Sequence, residues 1–268
     1  MDLSTPIVMG ILNVTPDSFF DGNRYQTEKN ILNRAEDILN HGGSIIDVGG
    51  YSSRPGSKNI TIDQELNRVI PAIDLIHRNF PEAVISIDTF RSKVAKEAIE
   101  IGGSMVNDIS AGDLDSKMFD IISDLNVPYI IMHMKGNPQN MQNAPQYQNI
   151  NQEIIYQFSK KINELSAKGI ADVIIDPGFG FGKTLEHNYQ ILNQLEIYQS
   201  INAPLLIGAS RKSMIHKLLE IDAKDALNGT TVVNTIGLSK GASILRVHDV
   251  KEAIEVITIS SYTKEINY

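Results

Sequence analysis

Asp176 closes a short β-branched run, Val173-Ile-Ile, and is followed by Pro177 and by three glycines alternating with Phe179 and Phe181. Proline cannot donate to a sheet ladder, so the strand stops there. A carboxylate left at the end of a buried strand is costly unless something binds it. Taken alone, such an Asp serves equally well as the cap of the following loop. The same construction recurs, however. Asn13, Asp47, Asp88, Asn107-Asp108, Ser210-Arg-Lys-Ser213, and Arg246 with His248 all stand within or at the ends of strand-like runs.

These residues divide by chemistry. Asp88, Asn107 and Asp176 are acceptors or amides able to accept, whereas Arg54, Lys212, Arg246 and His248 are cationic or able to become so. A carboxylate can take two parallel N–H bonds from a 2-aminopyrimidinone, as it does from guanidinium. Arginine forks and a main-chain turn at Ser52-Ser-Arg-Pro-Gly56 suit phosphate oxygens. A flat, N–H-rich ligand with an anionic tail would satisfy both halves. Asn13 offers a neutral oxygen compatible with a Mg²⁺ that keeps most of its shell from water and phosphate.

Such residues must be brought together by the elements that carry them. Strand-like runs fall at 7–14, 44–50, 83–89, 105–110, 129–134, 172–177, 204–210 and 243–249. Helical patterns lie between them. Thr61-Ile-Asp-Gln64 has the form of a capping box, and Leu66, Val69, Ile70, Ile73 and Ile76 follow at helix spacing. Val94, Ala95, Ala98 and Ile99 form a second stripe, ended by Gly102-Gly103, and a third runs from Ile154 to Leu165 and closes at Gly169. Eight strands with intervening helices and no break in composition predict a single (β/α)8 TIM barrel over residues 1–268. In that fold the ends of the strands gather at one mouth. A doubly wound open sheet is the alternative, because alternation does not show closure. Eight of the sixteen residues at 135–150 are Asn or Gln, which predicts a long solvated loop after the fifth strand.

Composition narrows the function classes. With 268 residues and no cysteine, the chain can bury a core without staples, and it excludes thiol nucleophiles and thiolate metal sites. A net charge of −8 argues against nucleic-acid or anionic-membrane partners. No apolar run approaches a membrane span and no secretion signal opens the chain, so a cytoplasmic location is expected.

The motifs, taken in order, resemble dihydropteroate synthase over essentially the whole chain. They are Met9-Gly-Ile-Leu-Asn-Val-Thr-Pro-Asp-Ser-Phe19, Asp47-Val-Gly-Gly with Ser53-Arg-Pro-Gly56, Ile87-Asp-Thr89, Asn107-Asp108, Asp176-Pro-Gly-Phe-Gly-Phe-Gly182, Ser210-Arg-Lys-Ser213 and Arg246-Val-His248. The resemblance implies a folate-pathway transferase joining 6-hydroxymethyl-7,8-dihydropterin diphosphate to p-aminobenzoate. It implies that Asp88, Asn107, Asp176 and Lys212 bind pterin, and that Ser53, Arg54, Arg246 and His248 bind diphosphate. It places Asn13 on Mg²⁺, and Phe19, Pro55, Phe181 and Ser213 near p-aminobenzoate. A homodimer and sulfonamide sensitivity are implied as well. Position alone suggests that Asp21 and Arg54 help the first two loops close over the reacting carbon.

Two positions depart from the family pattern. Tyr51 stands where the family usually has Glu, and Phe20 where it usually has a small Ser; Ser53 keeps the hydroxyl of the usual Thr. Two other readings share the acceptor half of the mouth: a methyltetrahydrofolate methyltransferase-type barrel and a pterin-binding subunit without turnover.

Overall fold

The computed structural model describes residues 3–15, 24–52, 59–138, 141 and 145–266. Eight short strands carry the β-branched runs: β1 (Ile7–Asn13), β2 (Ile45–Gly49), β3 (Val84–Asp88), β4 (Met105–Asp108), β5 (Tyr129–Met132), β6 (Val173–Asp176), β7 (Leu206–Ile207) and β8 (Ile244–Val247). All the pairings are parallel, in the order β6-β5-β4-β3-β2-β1-β8-β7. A bridge between Ile175 and Leu205 joins β6 to β7 and brings the ring round, which removes the open-sheet alternative. The barrel is thus the expected one, although β7 and β8 are shorter than the apolar runs that announced them.

Helices cover the outside: α1 (Arg24–Asn40), α2 (Ile62–Asn79), α3 (Ser92–Glu100), α4 (Met118–Leu125), α5 (Ile150–Ala167), α6 (Leu185–Asn193), α7 (Ser213–His216), α8 (Leu227–Ser239) and α9 (Val250–Glu265). Their boundaries follow local chemistry. Thr61 and Gln64 exchange the two capping-box hydrogen bonds at the start of α2, at 3.1 and 2.9 Å. Asn149 caps α5, the helix that ends the Asn/Gln-rich loop.

Strand alternation divides the core into two shells. Met9, Ile45, Met105, Ile130, Ile174, Leu206 and Ile244 fill the floor of the barrel from seven strands. Their sequence neighbours Val8, Ile46, Val106, Ile131, Ile175, Ile207 and Leu245 face outward and pack with helix residues such as Val69, Ile73 and Val94. One step of the same alternation above the floor stand Asp47, Asn107, Asp176 and Arg246. The apolar floor therefore sets the height at which the polar groups meet.

Candidate active site

Arg246 is the meeting point. Its Nε and Nη2 both lie 2.6 Å from Asp47 Oδ2, and Nη2 also reaches Asp88 Oδ2 at 2.6 Å. Asn107 Nδ2 donates to the same Asp47 oxygen at 3.2 Å. Strands β2, β3 and β8 are thereby joined by one guanidinium, and β4 is tied in through Asp47. Burial works against its charge, but Asp47 and Asp88 together outweigh that and hold Arg246 above the usual guanidinium range. Asp88 shares its cation with Asp47. Burial, eased by Arg246 and reinforced by Asp47, lifts its carboxyl to about 7.

Asp176 enters from β6 and is buried. Its Oδ1 accepts the Gly178 N–H at 2.7 Å, while Oδ2 lies over Gly208 beside the Arg246 side chain. Burial raises this carboxyl, opposed by the charge of Lys212. Lys212 stands opposite, donating to Phe179 O at 2.7 Å with its Nζ 4.7 Å from the centre of the Phe181 ring. Burial brings the Lys212 ammonium down to about 8 against the pull of Asp176.

At the rim, His248 lies just past the end of β8. Ser210 Oγ accepts the His248 backbone N–H at 3.2 Å and sits 3.1 Å from Nδ1. Burial and Arg246 push the imidazole to about 4, so His248 carries no charge at neutral pH. Asn13, at the end of β1, leans over Gly49. A Cβ at Gly49 would lie 3.3 Å from Asn13 Oδ1 and 3.7 Å from Asp88 Oδ2, so glycine leaves a cradle between the two oxygens.

Of the residues expected at the site, Asp88, Asn107, Asp176, Lys212 and Arg246 come together, with Phe181, Asn13 and His248 beside them. Ser213 begins α7 and is exposed on the rim. Phe19, Asp21, Ser53, Arg54 and Pro55 lie outside the described residues, as does Phe20. Two components were given no role from sequence, although Asp47 was read there among the polar strand residues. Asp47 holds both Arg246 and Asn107, and its place one alternation below Gly49 is a signal for it. The other is an apolar wall of Ile109, Met132, Met134 and Met141, packed with Phe90 and Phe181. That wall gives a flat ring a face to lie on.

The structure also shows what Tyr51 does. It is buried, donates to Asn59 Oδ1 at 2.6 Å, meets the Phe90 ring edge-on at 5.1 Å and lies under the Arg91 guanidinium. Neighbouring motif residues face outward: Arg211 pairs with Asp249 at 2.9 and 2.8 Å, and Asp108 ends β4 with its carboxylate holding the turn that follows.

A site of this kind, acceptors and an apolar wall on one side and cations on the other, matches a known family. Residues 9–248 fit the model described as pterin binding enzyme. The chain belongs to the dihydropteroate synthase family. It is 42% identical to dihydropteroate synthase of Escherichia coli K12 over 265 residues, covering 98% of this chain and 93% of that one. The Yersinia pestis dihydropteroate synthase solved with a sulfonamide drug is 39% identical, with a TM-score of 0.93 over 100% of this chain and 97% of that one. The Xanthomonas albilineans dihydropteroate synthase solved with 4-aminobenzoic acid is 33% identical, with a TM-score of 0.92 over 98% and 95% of the two chains. The chain is thus an enzyme of a folate-synthesis family, and among its described residues no helix is long and apolar enough to cross a membrane.

Proposed function

We propose that this mouth joins 6-hydroxymethyl-7,8-dihydropterin diphosphate to p-aminobenzoate, forming 7,8-dihydropteroate and diphosphate. The observation that carries the reading is the convergence of Asp88, Asn107, Asp176, Lys212 and Arg246 above one apolar floor. Asp176 Oδ2 and the Asn107 carbonyl take the N–H groups of the heterocycle, and Lys212 donates to its carbonyl edge. The ring lies against Met132 and Phe181. Arg246 spends Nε and Nη2 on the two carboxylates, which leaves Nη1 for a phosphate oxygen. His248 gives a ring N–H to the same tail, with Ser53 and Arg54 adding their donors.

The reacting centre is the methylene carbon between ring and tail. Its bond to the diphosphate oxygen breaks as the arylamine nitrogen forms a new one, and the amine loses one proton to solvent. Positive charge developing on that carbon is stabilised by the carboxylates below it, and negative charge on the leaving diphosphate by Arg246 and His248. A weakly basic arylamine suffices because the carbon is already activated and the two reactants are held together.

The cradle between Asn13 Oδ1 and Asp88 fits Mg²⁺, since a neutral oxygen with room beside it leaves the remaining positions to water and phosphate. When bound there, the ion would neutralise charge on the diphosphate tail. A homodimer belongs to the same proposal. Leu218, Leu219 and Ile221 after α7, Val232 on α8, and Ile259 and Tyr262 on α9 are exposed apolar side chains on helices that pack together. So does a cytoplasmic location, with which a cysteine-free chain is compatible. Sulfonamides would compete with p-aminobenzoate at Phe181 and Ser213.

The test is diphosphate release from the pterin diphosphate in the presence of Mg²⁺, with and without p-aminobenzoate. Release that depends on the arylamine and yields a product of dihydropteroate mass is expected. Binding without release would instead indicate a pterin-binding subunit.

A further inference from the structure

Lys183 lies one residue beyond the last glycine of the β6–α6 turn, and it is almost fully buried. Its Nζ makes three hydrogen bonds, to Phe181 O at 2.9 Å, His133 O at 3.1 Å and His133 Nδ1 at 3.0 Å. The three partners leave no hydrogen-bonding capacity of Nζ unused. None of the three acceptors is a carboxylate. Burial pulls the Lys183 amine well below its ordinary range against the charge of Asp176, so a buried amine is an expensive way to fasten two segments, and it calls for a reason beyond packing.

The two segments are the turn and the exit of β5, and they lie in direct contact. At Gly178, with φ +71°, a Cβ would come within 2.1 Å of His133 O; at Gly182, with φ +61°, it would come within 2.6 Å of Lys135 O. The Tyr147 hydroxyl reaches across from the β5–α5 loop to Gly182 O at 2.8 Å. For Nδ1 to accept, the His133 proton must sit on Nε2. Burial, with the charge of Lys183, holds this imidazole well below its ordinary range and keeps the acceptor available. What the turn delivers is the substrate side of the mouth. Phe179 O anchors Lys212 Nζ at 2.7 Å, and the Phe181 ring lies 4.7 Å from the same nitrogen.

We propose that Lys183 is a positioning residue: its buried, fully hydrogen-bonded Nζ fastens the β6–α6 turn to the end of β5, and so sets where Phe181 and Lys212 stand against the pterin and the arylamine. The proposal rests on the reading of the mouth given above. It touches the ring-binding half only, because Arg246 and His248 are carried by β8 and do not depend on the turn.

Lys183→Met keeps the length of the side chain and removes all three hydrogen bonds. In the full chain, the KM for p-aminobenzoate and the Kd for 6-hydroxymethylpterin, which lacks the diphosphate, should each rise about tenfold. The Kd for inorganic diphosphate with Mg²⁺ should stay within about twofold, since its partners are untouched. Lys183→Arg should recover part of the loss, being charged and rich in donors but planar. A general loss of structure would weaken all three ligands together, and that result overturns the proposal. So does a folded Lys183→Met with native ring affinities. If that variant does not fold, His133→Leu removes one acceptor only, and the same selective pattern should appear at about threefold. A wild-type protein that binds pterin but yields no dihydropteroate would remove the proposed reaction and leave the fastening role to be judged on pterin affinity alone.

Discussion

Two sets of buried carboxylates occupy neighbouring positions in this barrel and have opposite fates. Asp108 and Glu65, on the outer side of the strands, are saturated. Asp108 accepts from Ser110 N and Oγ, Gly112 N and the Tyr129 hydroxyl, all within 2.6–2.8 Å. Glu65 accepts from Thr89 Oγ1 and Arg91 Nη1, each at 2.7 Å. The acids of the mouth are held back from saturation. Asp47 Oδ1 has no hydrogen-bond partner among the described residues, Asp176 takes one backbone N–H, and Asp88 shares a single guanidinium with Asp47. Burial costs both sets desolvation. The outer acids recover it from the fold itself, whereas the inner ones recover it fully only when a ligand supplies donors.

Exchanging one acid from each set breaks this comparison most sharply. Asp176→Asn should lower kcat/KM for the pterin diphosphate about 100-fold, because an amide cannot accept both N–H bonds and charge-assisted bonds are each worth about 1.5–3 kcal/mol. Its thermal midpoint should hardly move. Asp108→Ala should do the reverse, costing about 3 kcal/mol by stranding the Tyr129 hydroxyl and two backbone N–H groups, with native kcat/KM in the molecules that remain folded. Equal effects of the two variants on activity and on stability would erase the distinction. Next in size, Arg246→Ala should raise the KM for the pterin diphosphate roughly tenfold to 100-fold, with little change in the KM for p-aminobenzoate. It also strands Asp47, so a loss of stability should accompany it.

Much of this arrangement was legible from alternation. Asn107 and Asp108 are adjacent, and a period of two sends the first to the mouth and the second to the outer layer. The same period turns Arg246 and His248 inward with Val247 away. What alternation could not show is which inward groups pair. Asp47 and Arg246 are 199 residues apart in sequence, and His133 and Lys183 are 50 apart. Those contacts exist because closure of the ring places β2 near β8 and β5 beside β6. Met132 and Met134 read as ordinary strand residues until the ring showed that they face the mouth. Tyr51 was opaque for a related reason, since its partners Phe90 and Arg91 belong to the end of another strand.

The pH dependence sharpens the comparison within the inner set. Asp88 must be ionised to accept N–H bonds, and its pKa of about 7 makes kcat/KM fall as pH drops through that value. Lys212 donates most strongly when charged, and its pKa of about 8 makes kcat/KM fall again above it. A narrow bell is expected for the pterin diphosphate. Lys212→Arg should lower the peak about tenfold and move the alkaline limb out of range, because guanidinium stays charged. An alkaline limb unchanged in that variant would assign it to another group.

The smallest effect is expected where the outer set touches the mouth. Arg91, held by Glu65, donates to Ile60 O at 2.6 Å and lies over Tyr51, whose hydroxyl spans to Asn59 at 2.6 Å. Tyr51 and Asn59 flank Ser53 and Arg54 in sequence, so the saturated cluster ties the base of the segment that bears two of the proposed diphosphate ligands. Tyr51→Phe removes the hydroxyl and keeps the ring against Phe90. It should cost about 1 kcal/mol of stability and raise the KM for the pterin diphosphate about two- to threefold, with the KM for p-aminobenzoate unchanged. The KM is the informative measurement. If it stays native while stability falls, the tie is part of the saturated outer layer alone, and the boundary between the two sets of acids lies between Glu65 and the mouth with nothing passing across it.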